Sequence, residues 1–292
     1  MRISRKLRIA AFVNKHIPRC LQLKYLELLY YKKIGRKLDW NNLKAYTEKM
    51  QWAKLYDATP IKTKLSDKYL VREWVAERIG EEYLIPLLGV WDKFSDIDFD
   101  TLPNQFVLKT NHGSGTVFVV KDKNSFDKQL CKKLFNDWMH TDYSYVFGLE
   151  MQYTNIERKI IAEQYMDSKV GELQDYKFLC FDGKPHFCWV DFDRFTNHTR
   201  NVYNLKWELQ PWNQYTYGNS AKSIDKPDNF DKMVEIASNL CHGFAHVRVD
   251  LYNLNGKIYF GEMTFTNGSG YECIVPDVYD YKLGEMWNIS QK

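Results

Sequence analysis

Residues 246–265 read HVRVDLYNLNGKIYFGEMTF, and no other stretch limits the possible folds so tightly. Apolar and polar residues alternate on both sides of an Asn-Gly pair, the signature of a half-buried β-hairpin. Two turns fit the pair. A two-residue type I′ turn would pair Leu254 with Lys257 and put Asp250 and Glu262 on opposite faces. A three-residue loop ending in a left-handed Gly256 would pair Asn253 with Lys257, Asp250 with Phe260 and Arg248 with Glu262. The spacing is read here in the second register. Arg248, Asp250, Glu262 and Thr264 then share one face, where two carboxylates beside an arginine make a place for Mg²⁺ and phosphate. The same residues also suit a plain surface salt bridge.

Other segments predict an α+β chain rich in antiparallel hairpins. Residues 105–122 read as strand, glycine loop and strand, 125–140 as a helix, and 158–166 as a short apolar strand. A hairpin is expected over 175–195, turning at Asp182-Gly183, and a helix over 229–243. Two helices precede them, at 41–57 and after Ser66, a candidate N-cap, with Gly80 as the stop. Nothing repeats internally, and no run of apolar residues is long enough to span a bilayer.

Residues 1–40 hold eleven Lys/Arg against two Asp/Glu, a net of +9. With +4 for the whole chain, the remainder carries 4 − 9 = −5. Such a basic amphipathic arm suits an anionic membrane surface or a sugar-acid polymer, or packs on its own domain through Leu21, Leu23, Leu26, Leu28 and Leu29. It does not suit nucleic acid, because the charge lies in one segment and no recognition motif accompanies it. Residues 9–13 are too short for a signal-peptide core, so a cytoplasmic protein is expected, with peripheral contact at the inner membrane face. Six cysteines without C-x-x-C spacing indicate neither zinc nor a redox pair.

Several fragments carry candidate chemistry. Lys68 stands at the start of a helix, where the dipole disfavours a cation unless an anion sits there too. Lys109 precedes Asn-His-Gly-Ser-Gly; His112, Gly113, Ser114 and Gly115 form a small-residue loop that lets backbone N–H groups approach phosphate oxygens, although such a loop is also an ordinary tight turn. Glu163, Gln164, Tyr165 and Met166 end a strand in the manner of a hinge, whose backbone and side chains suit an adenine ring. Asp175 and Lys177, two apart on a strand, suit ribose and phosphate or, equally, a cross-strand ion pair. Asp191 and Asp193 form a D-x-D, the metal motif of a nucleotide-sugar glycosyltransferase.

In order, Asp67-Lys68, Lys109 with its loop, Glu163, Asp175-x-Lys177, Arg248-x-Asp250 and Glu262 resemble the ATP-grasp superfamily. The wording of "EKMQWAKLYD", "DKYLVREWV", "LPNQFVLKTNHGSG", "DYKFLCFDGKP" and "RVDLYNLNGKIYFGEMTFTNGSG" is similar to its TupA-like family, found in bacterial cell-surface polysaccharide clusters. The resemblance implies an ATP-grasp fold of two α+β subdomains gripping ATP. It divides the chain into a basic helical segment at 1–58 and a catalytic region at 59–292, itself split into 59–166 and 167–292. ATP and Mg²⁺ are implied, with carboxylate–amine ligation through an acyl phosphate. Lys68, Lys109 and Lys177 would hold phosphates, Asp250, Glu262 and Thr264 the metal, and Arg248 the tetrahedral intermediate, with Lys177 as a second catalytic group. Arg194, Arg200, Asn267 and Ser269 would meet a substrate, expected to be a uronic acid joined to an amino acid or amine. The superfamily's usual Glu-x-Asn reads Glu262-Met263-Thr264 here, which leaves the number of metal ions open.

Overall fold

Two antiparallel sheets, each with helices on it, make up the computed structural model, which describes residues 5–167, 173–193, 197–222 and 224–289. The chain begins with helices α1 (Arg5–Lys15), α2 (Arg19–Ile34), α3 (Tyr46–Tyr56), α4 (Pro60–Ser66) and α5 (Val71–Ile79). A first sheet, in the order β1-β4-β2-β3, is formed by β1 (Leu87–Trp91), β2 (Phe106–Thr110), β3 (Val117–Val120) and β4 (Ile160–Gln164). Helix α6 (Lys128–Met139) covers it, and Phe94, Phe99, Phe106, Phe135 and Trp138 fill the space between.

The second sheet runs β10-β9-β5-β6-β7 and contains β5 (Gln174–Phe181), β6 (Lys184–Phe192), β7 (Thr199–Asn204), β9 (His246–Leu254) and β10 (Lys257–Thr264). A short pair, β8 (Asn213–Gln214) and β11 (Ile274–Val275), lies outside it. Its two faces differ. Phe178, Cys188, Val190, Val247, Val249 and Leu251 turn toward α7 (Phe230–Cys241) and form the larger core. On the opposite face Leu179, Phe181, Trp189 and Val202 pack on Tyr46, Met50 and Ala53 of α3 and on Leu283 of α8 (Val278–Glu285). Helix α3 is therefore part of the sheet's core, and the expected division at residue 58 falls beyond it. The rest of this face is polar: Asp175, Lys177, Asp191, Arg200, Arg248 and Asp250 all lie on it and are buried.

The β9–β10 hairpin corrects the expected register. Asn255 and Gly256 both have positive φ (52° and 83°), and Leu254 pairs with Lys257, so the turn has two residues. Unbroken, this register would set Asp250 and Glu262 on opposite faces. A bulge at Gly261 inserts one residue, after which Glu262 pairs with Asp250 and Thr264 with Arg248. The shared face survives, by a different device. Ser66 is also corrected: it ends α4, and the side chain that accepts the free amides before α5 is Asp67, bonded by the N–H groups of Tyr69 (2.7 Å) and Leu70 (3.1 Å). Gly80 ends α5 as expected, with φ 107°.

A Cβ on Gly261 would lie 3.0 Å from the Asp250 carbonyl oxygen and 3.2 Å from the Tyr252 ring. Gly261→Val is therefore expected to lower unfolding free energy by about 1–3 kcal/mol through overpacking. Equilibrium urea denaturation measures this, and an unchanged midpoint would count against a tightly packed bulge.

Candidate active site

Burying the Arg248 guanidinium is costly unless every side of it meets an anion or acceptor. Strand pairing provides them. Arg248 donates to both oxygens of Asp250, each at 2.7 Å, to Glu262 Oε1 at 3.0 Å and to the Thr264 hydroxyl at 3.1 Å. Burial opposes its charge, but Asp250 and Glu262 outweigh that and hold its pKa well above the usual value. Burial likewise pushes the Glu262 carboxyl upward, yet Lys68, Arg248 and Lys177 together bring it down to about 2.

The neighbouring strand β5 adds Lys177, opposite Asp250 in the ladder. Its ammonium contacts Asp175, Asp250 (3.0 Å) and, at 3.7 Å, Asp191. Asp175, expected at a ribose, is thus buried as a partner of Lys177. Arg200, expected to receive a substrate carboxylate, instead forks onto Asp191 (2.5 and 3.1 Å), donates to Gln214 and lies over the rings of Trp189 and Tyr217. Asp191 is thereby fixed among Arg200, His198 and Lys177, whereas Asp193 pairs with Lys222. Each aspartate of the D-x-D therefore has a cation beside it.

The first sheet contributes a second group. Lys109 on β2 and Glu163 on β4 share a face and form an ion pair, and Arg72 of α5 approaches Glu163 at 3.5 Å. Gln164 uses its N–H on the Pro86 carbonyl, and Tyr165 and Met166 follow half-buried where β4 has ended. Of the expected hinge, the Gln164 N–H is therefore already committed.

Between the two groups lies the turn before α5. Lys68 donates its backbone N–H to the Asn111 carbonyl (3.0 Å) and its ammonium to the Gly113 carbonyl (2.6 Å). The amide of Asn111 donates to Asp67 (2.8 Å), and its oxygen accepts from the Lys159 N–H. Burial lowers the Lys68 pKa; Glu262 of one sheet and Glu163 of the other pull the opposite way. Within the loop, Gly115 needs its freedom, with φ 72°, while Ser114 is exposed and Gly113 packs close to Thr116 and Tyr143. His112 is buried, and burial with the charges of Arg158 and Lys68 brings it down to about 4.

Asn267 and Ser269 turn their polar atoms into the protein. Asn267 Oδ1 accepts from the Tyr46 hydroxyl (2.7 Å), and Ser269 Oγ donates to the Phe147 carbonyl (3.2 Å). The Ser269 carbonyl accepts from Lys54 (2.8 Å), a fully buried lysine brought down to about 7 by burial against the opposing pull of Glu150. Arg194 lies outside the described residues. Arg72, Asn111 and the role of Asp67 in fixing Asn111 and the turn before α5 are not singled out by the sequence. Signals existed: Asp67 and Asn111 flank named residues, and Arg72 follows Lys68 by one helical turn.

Comparison with known proteins decides the family. A family model described as TupA-like ATPgrasp matches residues 48–288. The chain belongs to this family. TupA-like ATP-grasp proteins use ATP and Mg²⁺. No curated protein sequence matches the chain. Solved structures similar to it include D-alanine–D-alanine ligase from Bacillus anthracis, at 16% identity and TM-score 0.42, covering 76% of this chain and 67% of that one. Phosphoribosylamine–glycine ligase from Thermotoga maritima gives 10% and 0.42, covering 80% and 58%. D-cycloserine synthetase gives 15% and 0.43, covering 93% and 97%. The chain thus spans between about three fifths and nearly all of these three structures' lengths.

The residues present fit Mg²⁺. Asp250 and Glu262 are hard oxygen donors paired across two strands, and the Thr264 hydroxyl donates to Glu262 at 2.9 Å. Among the described residues no three His, Cys, Asp or Glu gather to hold an ion by themselves. A site with one or two carboxylates completed by phosphate oxygens is what Mg²⁺ ordinarily takes.

His112 gives a pH prediction. Its folded pKa, about 4, lies below the usual 6.5, so the unfolded chain binds more protons between those values. Its stability contribution is complete above pH 6.5 and is lost as pH falls toward 4. His112→Asn should flatten the pH dependence of unfolding free energy across that window, as followed by denaturant titration at several pH values.

Proposed function

We propose that the chain is an ATP- and Mg²⁺-dependent carboxylate–amine ligase that joins an amino acid or small amine to a uronic acid during cell-surface polysaccharide synthesis. The observation that carries this reading is the convergence, on one sheet face and the adjoining turn, of Lys68, Lys177 and Arg248 around Asp250 and Glu262. The polysaccharide setting rests on the family resemblance.

In this reading residues 59–166 and 167–292 act as two subdomains with the nucleotide between them. The γ-phosphoryl group of ATP passes to a carboxylate oxygen of the acid and ADP leaves. The amine nitrogen then bonds to the acyl carbon, the bond from that carbon to the phosphate oxygen breaks, phosphate leaves, and the amine's proton passes to solvent. Lys68, Lys109 and Lys177 hold phosphate oxygens, and Lys177 also steadies the transferring group. Arg248, fixed by four acceptor oxygens, meets the negative charge that develops on the acyl oxygen without having to reorient. The Gly113–Gly115 loop covers the phosphates and keeps water from the acyl phosphate. When bound, Mg²⁺ neutralises phosphate charge; Asp250 and Glu262 would hold it, beside Thr264.

A charge balance supports the requirement for metal. Lys68, Arg72, Lys109, Lys177, Arg200 and Arg248 face Asp67, Glu163, Asp175, Asp191, Asp250 and Glu262, six cations against six anions among the described residues. A triphosphate added to a balanced site is repelled by the carboxylates unless divalent cations enter with it.

Incubation with ATP, Mg²⁺ and a panel of uronic acids and amines should release ADP and phosphate only when both organic substrates are present. Asp250→Asn should lower kcat at least about a hundredfold, as loss of a group that positions charge does. ATP binding without turnover for any pair would instead make the chain a non-catalytic nucleotide-binding subunit. Activity with a nucleotide sugar alone, untouched by Asp250→Asn, would make it a glycosyltransferase.

A further inference from the structure

Helix α1 has two apolar faces, and the protein uses only one. Leu7, Ala11 and Asn14 turn inward, with Ala11 in the aromatic core beneath α6 and the Asn14 amide donating to the Tyr145 carbonyl at 2.8 Å. Ion pairs from Arg8 to Asp137 and from Lys15 to Asp142 (3.1 Å) fix the helix in place. The other face presents Ile9, Phe12 and Val13, exposed by 55, 68 and 57%, at the i, i+3, i+4 spacing of a continuous stripe. Helix α2 repeats the pattern, with Leu21, Lys24, Leu28, Tyr31 and Lys32 exposed along one side while Leu26 and Tyr30 are buried.

We propose that the exposed stripes of α1 and α2 dock on an anionic lipid bilayer. Charge selects that occupant. Lys6, Arg19, Lys32 and Lys33 are exposed and enter no ion pair among the described residues, and Glu27 is the one acidic residue between 5 and 34. Cations beside exposed apolar side chains match a surface with negative headgroups over hydrocarbon. A second copy laid face to face would bring like charges together. The contact is peripheral, since no helix among the described residues is long and apolar enough to cross a membrane.

The test is co-sedimentation of the full chain with vesicles of phosphatidylcholine alone or mixed with phosphatidylglycerol, at low and high salt. Binding is expected only with phosphatidylglycerol present and should fall as salt rises. The double variant Ile9→Ser, Phe12→Ser should weaken it at least about tenfold, because the apolar area that inserts is removed. Charge reversal by Lys6→Glu with Lys32→Glu should do the same, and thermal melts followed by circular dichroism should match wild type because all four side chains are exposed and neither lysine enters an ion pair among the described residues. The Ile9→Ser, Phe12→Ser variant should bind ATP as wild type does, so that failure of the ligase reading and failure of docking are told apart. Absence of binding, equal binding to phosphatidylcholine, or variants that bind undiminished would overturn the proposal. So would a dimer in ultracentrifugation that Phe12→Ser dissociates, which would assign the surface to a second copy.

Discussion

Arg248 and Lys177 are charged groups withdrawn from water on the face of a sheet, and the arrangement around them follows from that. An unpaired buried charge costs several kcal/mol, so each must be surrounded. Asp250 serves both, lying next to Lys177 across the β5–β9 ladder and two residues from Arg248 on the same strand. Glu262 and Thr264 complete the shell from β10, and Asp175 and Asp191 from β5 and β6. Such a network fixes side chains in advance of any ligand, which is what a site that stabilises developing charge requires.

The opposite end of the same sheet face is packed with Trp189, Phe181 and the aromatic residues of α3 and α8. A polar half and an apolar half share one surface. The apolar half anchors the strands by burial, and the polar half can then hold charges whose own contribution to stability is small or negative. The Asp67–Lys68 turn extends this arrangement to the other sheet. Val71 and Val75 of α5 sit in the core of the five-stranded sheet, while Asp67 and Lys68 bond to Asn111 and Gly113 beyond the end of β2. A lysine at this point is disfavoured by the helix dipole by at most about 1 kcal/mol. That cost is outweighed by the Gly113 carbonyl and by the carboxylates of both sheets.

Much of the element pattern could be read from local residues. Asp182-Gly183 does form the β5–β6 turn, with both φ values positive, and the glycine loop does join β2 to β3. The hairpin register differs from the expected one although its signal is present in the sequence. Ile258 and Phe260 are apolar at even positions and Met263 and Phe265 at odd ones, yet all four join the same core. That change of phase across Gly261 marks the bulge. The pairing of Arg200 with Asp191 is not legible in the sequence, because the β6–β7 ladder that sets them opposite each other cannot be seen in either segment alone.

The sequence by itself determined which residue types were available, where chain reversals fell, and that a basic arm precedes an acidic remainder, because these depend on neighbours along the chain. Only the tertiary structure decided which carboxylate holds which cation. Such pairings join residues as far as 73 apart, as for Lys177 and Asp250. They are chosen by the need to satisfy every buried charge at once, a condition that arises when the sheets are packed and that no single segment carries.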